Sequence, residues 1–516
     1  MRPMVLQILV FVSGLSVMAV EMTGLRLLAP YFGTSLLVTT ILIGSMMCFL
    51  SVGYALGGRI GDRHPSLQRL SSVTLAASVA VLLLPLLSRP ILQAATAAIK
   101  PLLQQGNLEG GAVTVAMVVG GLLATLALFA VPVTLMGMVS PWAVRLAVSD
   151  IEQSGRAAGR LYALSTVGSI LGSFAPAIVL IPAFGVRQTF LLIGGLLGLV
   201  SAIGMLRKAG AAVPVAALAI ALTPEGIVRP MDGLVEESES IYHFIQVVIE
   251  PYGPCDEAYH LYLNEGVGVH SVKCLDPEVE VRGIWHYMAA APLFSPEPEA
   301  VEDVLIIGLA GGTIARKMAA AFPGVQVDGV EIDGDVVDVG RRYFDNGMDG
   351  LTAYTMDGRI FLEHTDQTYD VILMDAYRQP YIPFHLTTLE FWQRVDEHLN
   401  DDGVVAINVA TPFASSRSLA GMLQRTMREV FPSVHLLDAT RANDILYATK
   451  SQTRALAAAD ALDARPDLDS LDSIRKRFRT GMMGDVEGWE TAQILTDDKA
   501  PVELAWEMMQ LDFLEG

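Results

Sequence analysis

Four short segments in the second half of the chain carry residue types that can do chemistry. Residues 308–313 read Gly308-Leu309-Ala310-Gly311-Gly312-Thr313. Small side chains there let a ligand approach the backbone, and a helix opening at Thr313 would offer free N–H groups. Glu331 follows 23 residues after Gly308 in Val330-Glu331-Ile332-Asp333, where a carboxylate can accept both hydroxyls of a ribose. Asp357-Gly358 supplies another acid, suited to an exocyclic amino group, beside a residue that leaves room for a ring. Asp375 opens a loop that also holds Tyr377, Arg378 and His385. A histidine there could move a proton near neutrality.

Each signal alone is weak. A dinucleotide fingerprint would place glycines at Gly308, Ala310 and Thr313, and two of the three are absent. A phosphate-cradling loop would need Lys followed by Ser or Thr, also absent. Any of the acids could be a helix cap or a turn residue.

The elements that must position them make the combination specific. From Asp303 onward, strand-like runs at 304–307, 325–330, 369–374 and 404–408 alternate with helical stretches at 313–322, 335–343 and 388–399. That alternation predicts parallel strands covered by helices on both faces, a doubly wound Rossmann-like sheet. Ligands of such sheets lie beyond the carboxyl ends of the strands, and there the glycine loop, Glu331, Asp357 and Asp375 fall. Loop, acid, acid, acid in register reads as a site for an S-adenosyl nucleoside. Its expected contacts are Gly308, Ala310, Gly312, Glu331, Asp357, Gly358 and Asp375.

The first half is a different kind of polymer. The chain has 516 residues, 52% hydrophobic and 17% charged, with a formal net charge of −20. Up to Thr223 there are 13 Lys and Arg against 5 Asp and Glu, a net of +8, which leaves −28 for the remainder. Apolar runs at 4–28, 35–56, 70–87, 112–136, 161–184 and 189–206 can each cover about 30 Å of hydrocarbon. The first is too long for a cleaved leader. A seventh run, 211–222, is marginal in length. Arg59, Arg63, Arg69, Arg145, Arg156, Arg160, Arg207 and Lys208 follow the even-numbered runs, so the positive-inside rule puts those ends and Met1 in the cytoplasm. Six crossings leave the acidic half cytoplasmic, and a seventh would export it. The favoured reading is six, with 211–222 interfacial or re-entrant. Glu21 and Arg26 read as a structural pair, and Gly57 to Arg63 as a cytoplasmic turn. The basic face that nucleic acid requires is missing from the acidic half. Cys48, Cys255 and Cys274 show neither a metal spacing nor a disulfide framework, so no metal is expected.

Between the halves, 224–239 reads as a linker, with Pro224, Gly226, Pro230 and a run of glutamates. Alternating residues at 240–250 and 259–263 predict a small β module over 240–292, ahead of a nucleotide-binding domain over 293–450 and a carboxy-terminal helical or lid segment over 451–516.

At these residues a resemblance emerges. Residues 304–313, 330–333, Asp357-Gly358 and 369–375 resemble the core of the spermidine synthases, the polyamine aminopropyltransferases, and 240–245 resembles the start of their amino-terminal strand module. The first half is similar to the membrane part of fused transporter/spermidine-synthase-like proteins through 26–33, 136–146 and 159–172. The resemblance implies a polytopic helical membrane domain of six or seven helices followed by a methyltransferase/spermidine-synthase fold. It implies decarboxylated S-adenosylmethionine as donor, an amine as acceptor and a homodimer. It also exposes departures. The family's glycine-loop Asp is Gly311, its Asp-x-x-Asp is Asp375-Ala376-Tyr377-Arg378, and its early Gln is His243. Arg378 suits a carboxylate, such as that of intact S-adenosylmethionine, which leaves methyl transfer to a small or lipophilic acceptor open. A transporter or sensor that only binds the nucleoside is a third reading. Asp375, Tyr377 and His385 are the catalytic candidates. Tyr242, His243, Arg378, Asp497 and Asp498 are the acceptor-side candidates, the last two on a segment that can fold back and restore negative charge.

Overall fold

The computed structural model describes the chain except residues 1, 33–35, 106–110, 149–153, 206–227, 265–267, 280, 378–380, 412–417, 467, 504 and 506–516. Arg378 lies outside the described residues. The chain divides into two compact units. The first comprises 1–105, 115–230 and 239–244, and the second is built mainly from 245–516.

The first unit is a helical bundle: α1 (Arg2–Phe32), α2 (Leu36–Arg63), α3 (Leu67–Gln105), α4 (Gly111–Gly137), α5 (Val139–Ala147), α6 (Ser154–Ala175) and α7 (Ile181–Met205). Among the described residues five stretches are long and apolar enough to cross a membrane, and the fifth, Ser154–Met205, is 52 residues long. That stretch is two elements. A π-helical turn at Pro176–Leu180 precedes Gly185, whose φ of 76° breaks the helix. Close contacts give the directions. A Cβ on Gly168 would lie 2.2 Å from the Phe11 carbonyl oxygen, and one on Gly172 would lie 2.1 Å from that of Leu15, so α6 runs parallel to α1. A Cβ on Gly204 would lie 2.1 Å from Ser71 Oγ and 3.7 Å from Val5, so α7 ends where α1 and α3 begin. The two runs expected at 161–184 and 189–206 thus travel in opposite directions. Small residues let these backbones meet.

Tyr31 Oη donates to the Val228 carbonyl at 3.0 Å, Arg229 donates to that of Pro30 at 2.7 Å, and Arg26 donates to that of Tyr242 at 3.2 Å. Residues 228, 229 and 242 are therefore held at the carboxyl end of α1.

In the second unit a four-stranded sheet, β1 (Leu234–Glu239), β2 (Phe244–Tyr252), β3 (Cys255–Leu263) and β4 (Val269–Cys274), runs in chain order. β1 occupies residues that read as linker in the sequence. Cys255 and Cys274 form a disulfide closing the β3–β4 pair; the sequence offered no spacing signal for it.

The larger sheet contains β5 (Asp303–Ile307), β6 (Gln326–Glu331), β7 (Leu351–Thr355), β8 (Tyr369–Met374), β9 (Leu399–Ala410), β10 (Ser433–Asp438), β11 (Asn443–Thr449) and β12 (Met482–Gly484). Their order is β12-β10-β11-β9-β8-β5-β6-β7. From β7 to β9 the pairing is parallel; β11, β10 and β12 add antiparallel strands that the alternation did not reveal. The central strands are buried along nearly their whole length, as strands covered on both faces must be. The connecting helices are α8 (Ile284–Ala289), α9 (Thr313–Ala321), α10 (Gly334–Tyr343), α11 (Gly358–His364), α12 (Leu389–Glu397) and α13 (Ser418–Arg428).

Candidate active site

The candidate site forms where β5, β6, β7 and β8 end. After β5 the chain turns sharply: Gly308, Ala310 and Gly312 have φ of 91°, 48° and 79°. Gly308 is required by closeness as well, since a Cβ there would lie 2.6 Å from the Ala376 backbone. The loop is fastened at several points. Glu331 accepts from the Ala310 N–H at 2.9 Å and from the Asp333 N–H at 3.2 Å. Ser271 Oγ accepts from the Gly311 N–H at 2.8 Å, and Asn346 donates to the Ala310 carbonyl at 3.1 Å. Buried Arg316 reaches the carbonyls of Val272, Phe344 and Gly311, and burial depresses its guanidinium to about 10. Glu331 therefore pins the loop, and a carboxylate with two oxygens retains lone pairs for ribose hydroxyls.

Gly311 stands where the resemblance places an acid. A Cβ at this position would lie 2.8 Å from the Ser271 Cβ and 2.9 Å from the Phe344 ring. The space for that side chain is already filled, so the substitution is part of the local packing.

The acids after β6 and β7 double as helix caps. Asp333 accepts from the Asp335 N–H at 3.1 Å and starts α10. Asp357 Oδ1 accepts from the Arg359 and Ile360 N–H groups, starting α11, while Oδ2 meets His385 Nε2 at 2.9 Å. Burial works against its charge, but His385 and the two N–H groups outweigh it and hold the Asp357 carboxyl below its ordinary value. Gly358 packs directly on β5: a Cβ there would lie 2.3 Å from Ile307 Cγ2.

Asp375 is the unusual group. It leaves β8 with its N–H donating to the Ile307 carbonyl at 2.9 Å. Among the described residues its side chain is met by Asn408 on β9, whose amide donates to Oδ1 at 2.8 Å; Asn443 in turn donates to Asn408 Oδ1 at 3.0 Å. Burial pushes the Asp375 carboxyl up to about 7, with the Asn408 amide pulling the other way. Desolvation is the physical cause. Part of its surface stays open.

Tyr377 Oη donates to the Asn408 carbonyl at 2.8 Å and accepts from the Ala410 N–H at 2.8 Å. Burial raises its phenol well above the ordinary value. A hydroxyl held twice by backbone braces the Asp375 loop against β9. Asp497 lies against the first turns of α11 and α12. It takes both Arg359 nitrogens at 2.7 Å and the Thr388 hydroxyl at 2.8 Å. Its charge is thus spent on Arg359, which lowers its pKa first of all. Asp498 beside it is exposed. Tyr242 and His243 belong to the helical unit; Tyr242 is exposed and His243 buried.

The structure therefore gathers Gly308, Ala310, Gly312, Glu331, Asp357, Gly358, Asp375 and His385 at one end of one sheet. Asn408, Ser271, Asn346 and Arg359 complete it and were missed. Only Asn408 had a signal, a lone amide in the apolar run Val404 to Val409. Among the described residues no cluster of three or more His, Cys, Asp or Glu could hold a metal.

Comparison with known proteins follows the same lines. Residues 285–440 match the family model described as the spermine/spermidine synthase domain. A probable polyamine aminopropyl transferase of Bifidobacterium longum is 32% identical over 290 residues, 52% of this chain and 62% of that protein. The alignment thus spans less than two thirds of that relative's length. An eEF1A lysine and N-terminal methyltransferase of Xenopus laevis is 27% identical over 184 residues, covering 33% of this chain and 26% of that protein. A solved probable spermidine synthase from Corynebacterium glutamicum aligns at 20% identity and a TM-score of 0.38, covering 52% of this chain and all of the other.

Proposed function

We propose that this chain, whose second half belongs to the spermidine synthase family, is a membrane-attached transferase. It moves an aminopropyl group from decarboxylated S-adenosylmethionine to an amine. The observation that carries the reading is Asp375, a carboxyl held near neutrality at the strand end where the donor's reacting carbon would lie. An amine with a solution pKa near 10 is protonated at pH 7 and must lose a proton before it can attack. Asp375 takes that proton. The amine lone pair then forms a bond to the carbon beside the sulfonium, the carbon–sulfur bond breaks, and methylthioadenosine leaves with the electron pair. Glu331 receives the ribose hydroxyls and Asp357 the adenine amino group, in competition with His385. The Asp497–Arg359 pair ties the carboxy-terminal segment over α11.

The helical unit inserts in the lipid bilayer as an anchor, which its five long apolar stretches support. Domain limits of 1–223, 224–239, 240–292, 293–450 and 451–516 serve as working boundaries. A cytoplasmic position for the transferase half requires an even number of crossings. Homodimerisation remains an expectation from the family.

A second reading, methyl transfer from intact S-adenosylmethionine, is favoured by the filled space at Gly311, which removes an acid from the acceptor side. Mass spectrometry of the purified protein with each donor and a panel of polyamines separates the two. Methylthioadenosine together with an amine heavier by one aminopropyl unit supports the first. S-adenosylhomocysteine with a methylated acceptor refutes it in favour of the second, and absence of both products with either donor refutes both.

A further inference from the structure

The helical unit has two chemically different ends. At one end lie the start of α1, the α2–α3 turn, α5, the start of α6 and the finish of α7. Gly61 packs on Trp142, Arg145 meets Asp62 at 3.2 Å, and Gly204 packs on Ser71. Arg59, Arg63, Arg69, Arg145, Arg156 and Arg160 sit at this end, and Arg207 and Lys208 directly follow α7 in the sequence. At the other end lie the finishes of α1 and α3, the start of α2 and the Gly185 break, where Arg26, Arg89, Lys100, Arg187 and Arg229 are the nearby basic residues. The richly basic end is the cytoplasmic one.

The chain leaves α7 at the basic end and is next described at the opposite end. Val228, Arg229 and Tyr242 are bonded to Tyr31, Pro30 and Arg26 in the last two turns of α1. Residues 206–227 lie outside the described set, but their number is informative. An apolar crossing takes about 20 residues, and 206–227 number 22. Within them 211–222 holds no charged residue.

A third observation is independent of both. Eleven residues after Phe244 comes Cys255, bonded to Cys274. Structural disulfides persist in oxidising compartments and are rare in the cytoplasm, where thiols are kept reduced.

We propose that the chain crosses the membrane seven times, not six, and that the transferase half lies on the non-cytoplasmic face with Cys255–Cys274 oxidised there. The site then draws its substrates from that face. A charged nucleoside donor made in the cytoplasm needs a conducting path to reach it.

The test needs no turnover, so it stands or falls separately from the proposed reaction. In the full-length chain with Cys48→Ser, single cysteines are introduced at two exposed loop positions, His64→Cys and Asp366→Cys. Sealed spheroplasts are treated with a membrane-impermeant maleimide. Expected labelling is at Asp366→Cys in sealed spheroplasts and at His64→Cys only after permeabilisation. Cys255 and Cys274 should react only after a reductant is added. Total labelling in detergent confirms that each variant is made, and a reporter fused after Gly516 that is active only outside the cytoplasm gives a second readout. The proposal is overturned if both positions stay protected until permeabilisation, if the pattern is reversed, or if Cys255 and Cys274 alkylate without reductant.

Discussion

Replacing Asn408 by Leu tests the site's central electrostatic feature. The Asn408 amide donates to Asp375 at 2.8 Å. It favours the ionised carboxylate against the burial that pushes the group to about 7. A hydrogen bond to a charged group contributes about 1.5–3 kcal/mol, and one pKa unit corresponds to about 1.4 kcal/mol. Losing the donor therefore raises the Asp375 pKa by about 1–2 units, to roughly 8–9. At pH 7 the ionised fraction falls from about one half to between about one tenth and one hundredth, so kcat/KM drops about 5- to 50-fold. The loss is recovered as pH rises past the new value, because the base itself is intact. The assay is methylthioadenosine release across pH 6–10 for the wild type and Asn408→Leu. A deficit that is constant with pH, or an unmoved acid limb, would falsify Asp375 as the base. A circular-dichroism melt at each pH separates this effect from simple unfolding.

Four further outcomes follow from the same geometry. Because the folded-state pKa of Asp375 lies above its ordinary value, its contribution to stability is present below about pH 4 and lost as pH rises through about 7. Asp375→Asn should thus melt higher than wild type at pH 8 and lose that advantage at pH 4, by on the order of 2 kcal/mol after allowance for its partly open face. Gly311→Asp should destabilise by about 1–3 kcal/mol through its clash with Ser271, and the added change Ser271→Gly should recover part of it in urea titrations. Glu331→Ala should weaken nucleoside binding by at least about tenfold in calorimetry, since it frees the Ala310 and Asp333 N–H groups as well as removing the ribose acceptor. Cys255→Ser with Cys274→Ser should cost about 3 kcal/mol in thermal melts, given a sequence separation of 19, and reductant should then leave the melt unchanged.

The parts of the site legible in the sequence share one property: each is defined by its place in a local element. The glycine loop follows an apolar strand, and Glu331, Asp357 and Asp375 each close one. Helix starts at 313 and 334 match the expected stretches to within a residue. What stayed hidden depends on strands that meet from far apart. Asn408 reaches Asp375 across 33 residues, Ser271 reaches Gly311 across 40, and Asp497 reaches Arg359 across 138. The antiparallel strands β10 to β12 escaped for a related reason. Their apolar pattern resembles any half-buried segment, and only pairing decides their direction.

By itself, the sequence determined that one half is apolar and weakly basic, that the other is acidic, and that a nucleoside-type loop and three acids fall at successive strand ends. Those features rest on hydropathy, charge and periodicity, which are properties of a segment and need no partner. The tertiary structure alone decided which acid is left near neutrality, that Tyr377 is a brace, that the space at Gly311 is filled, and at which end of the bundle the chain emerges after α7. Each of these depends on distances between residues far apart in the chain. Burial, hydrogen-bond satisfaction and helix direction act through space, so they exist only once the fold has brought those residues together.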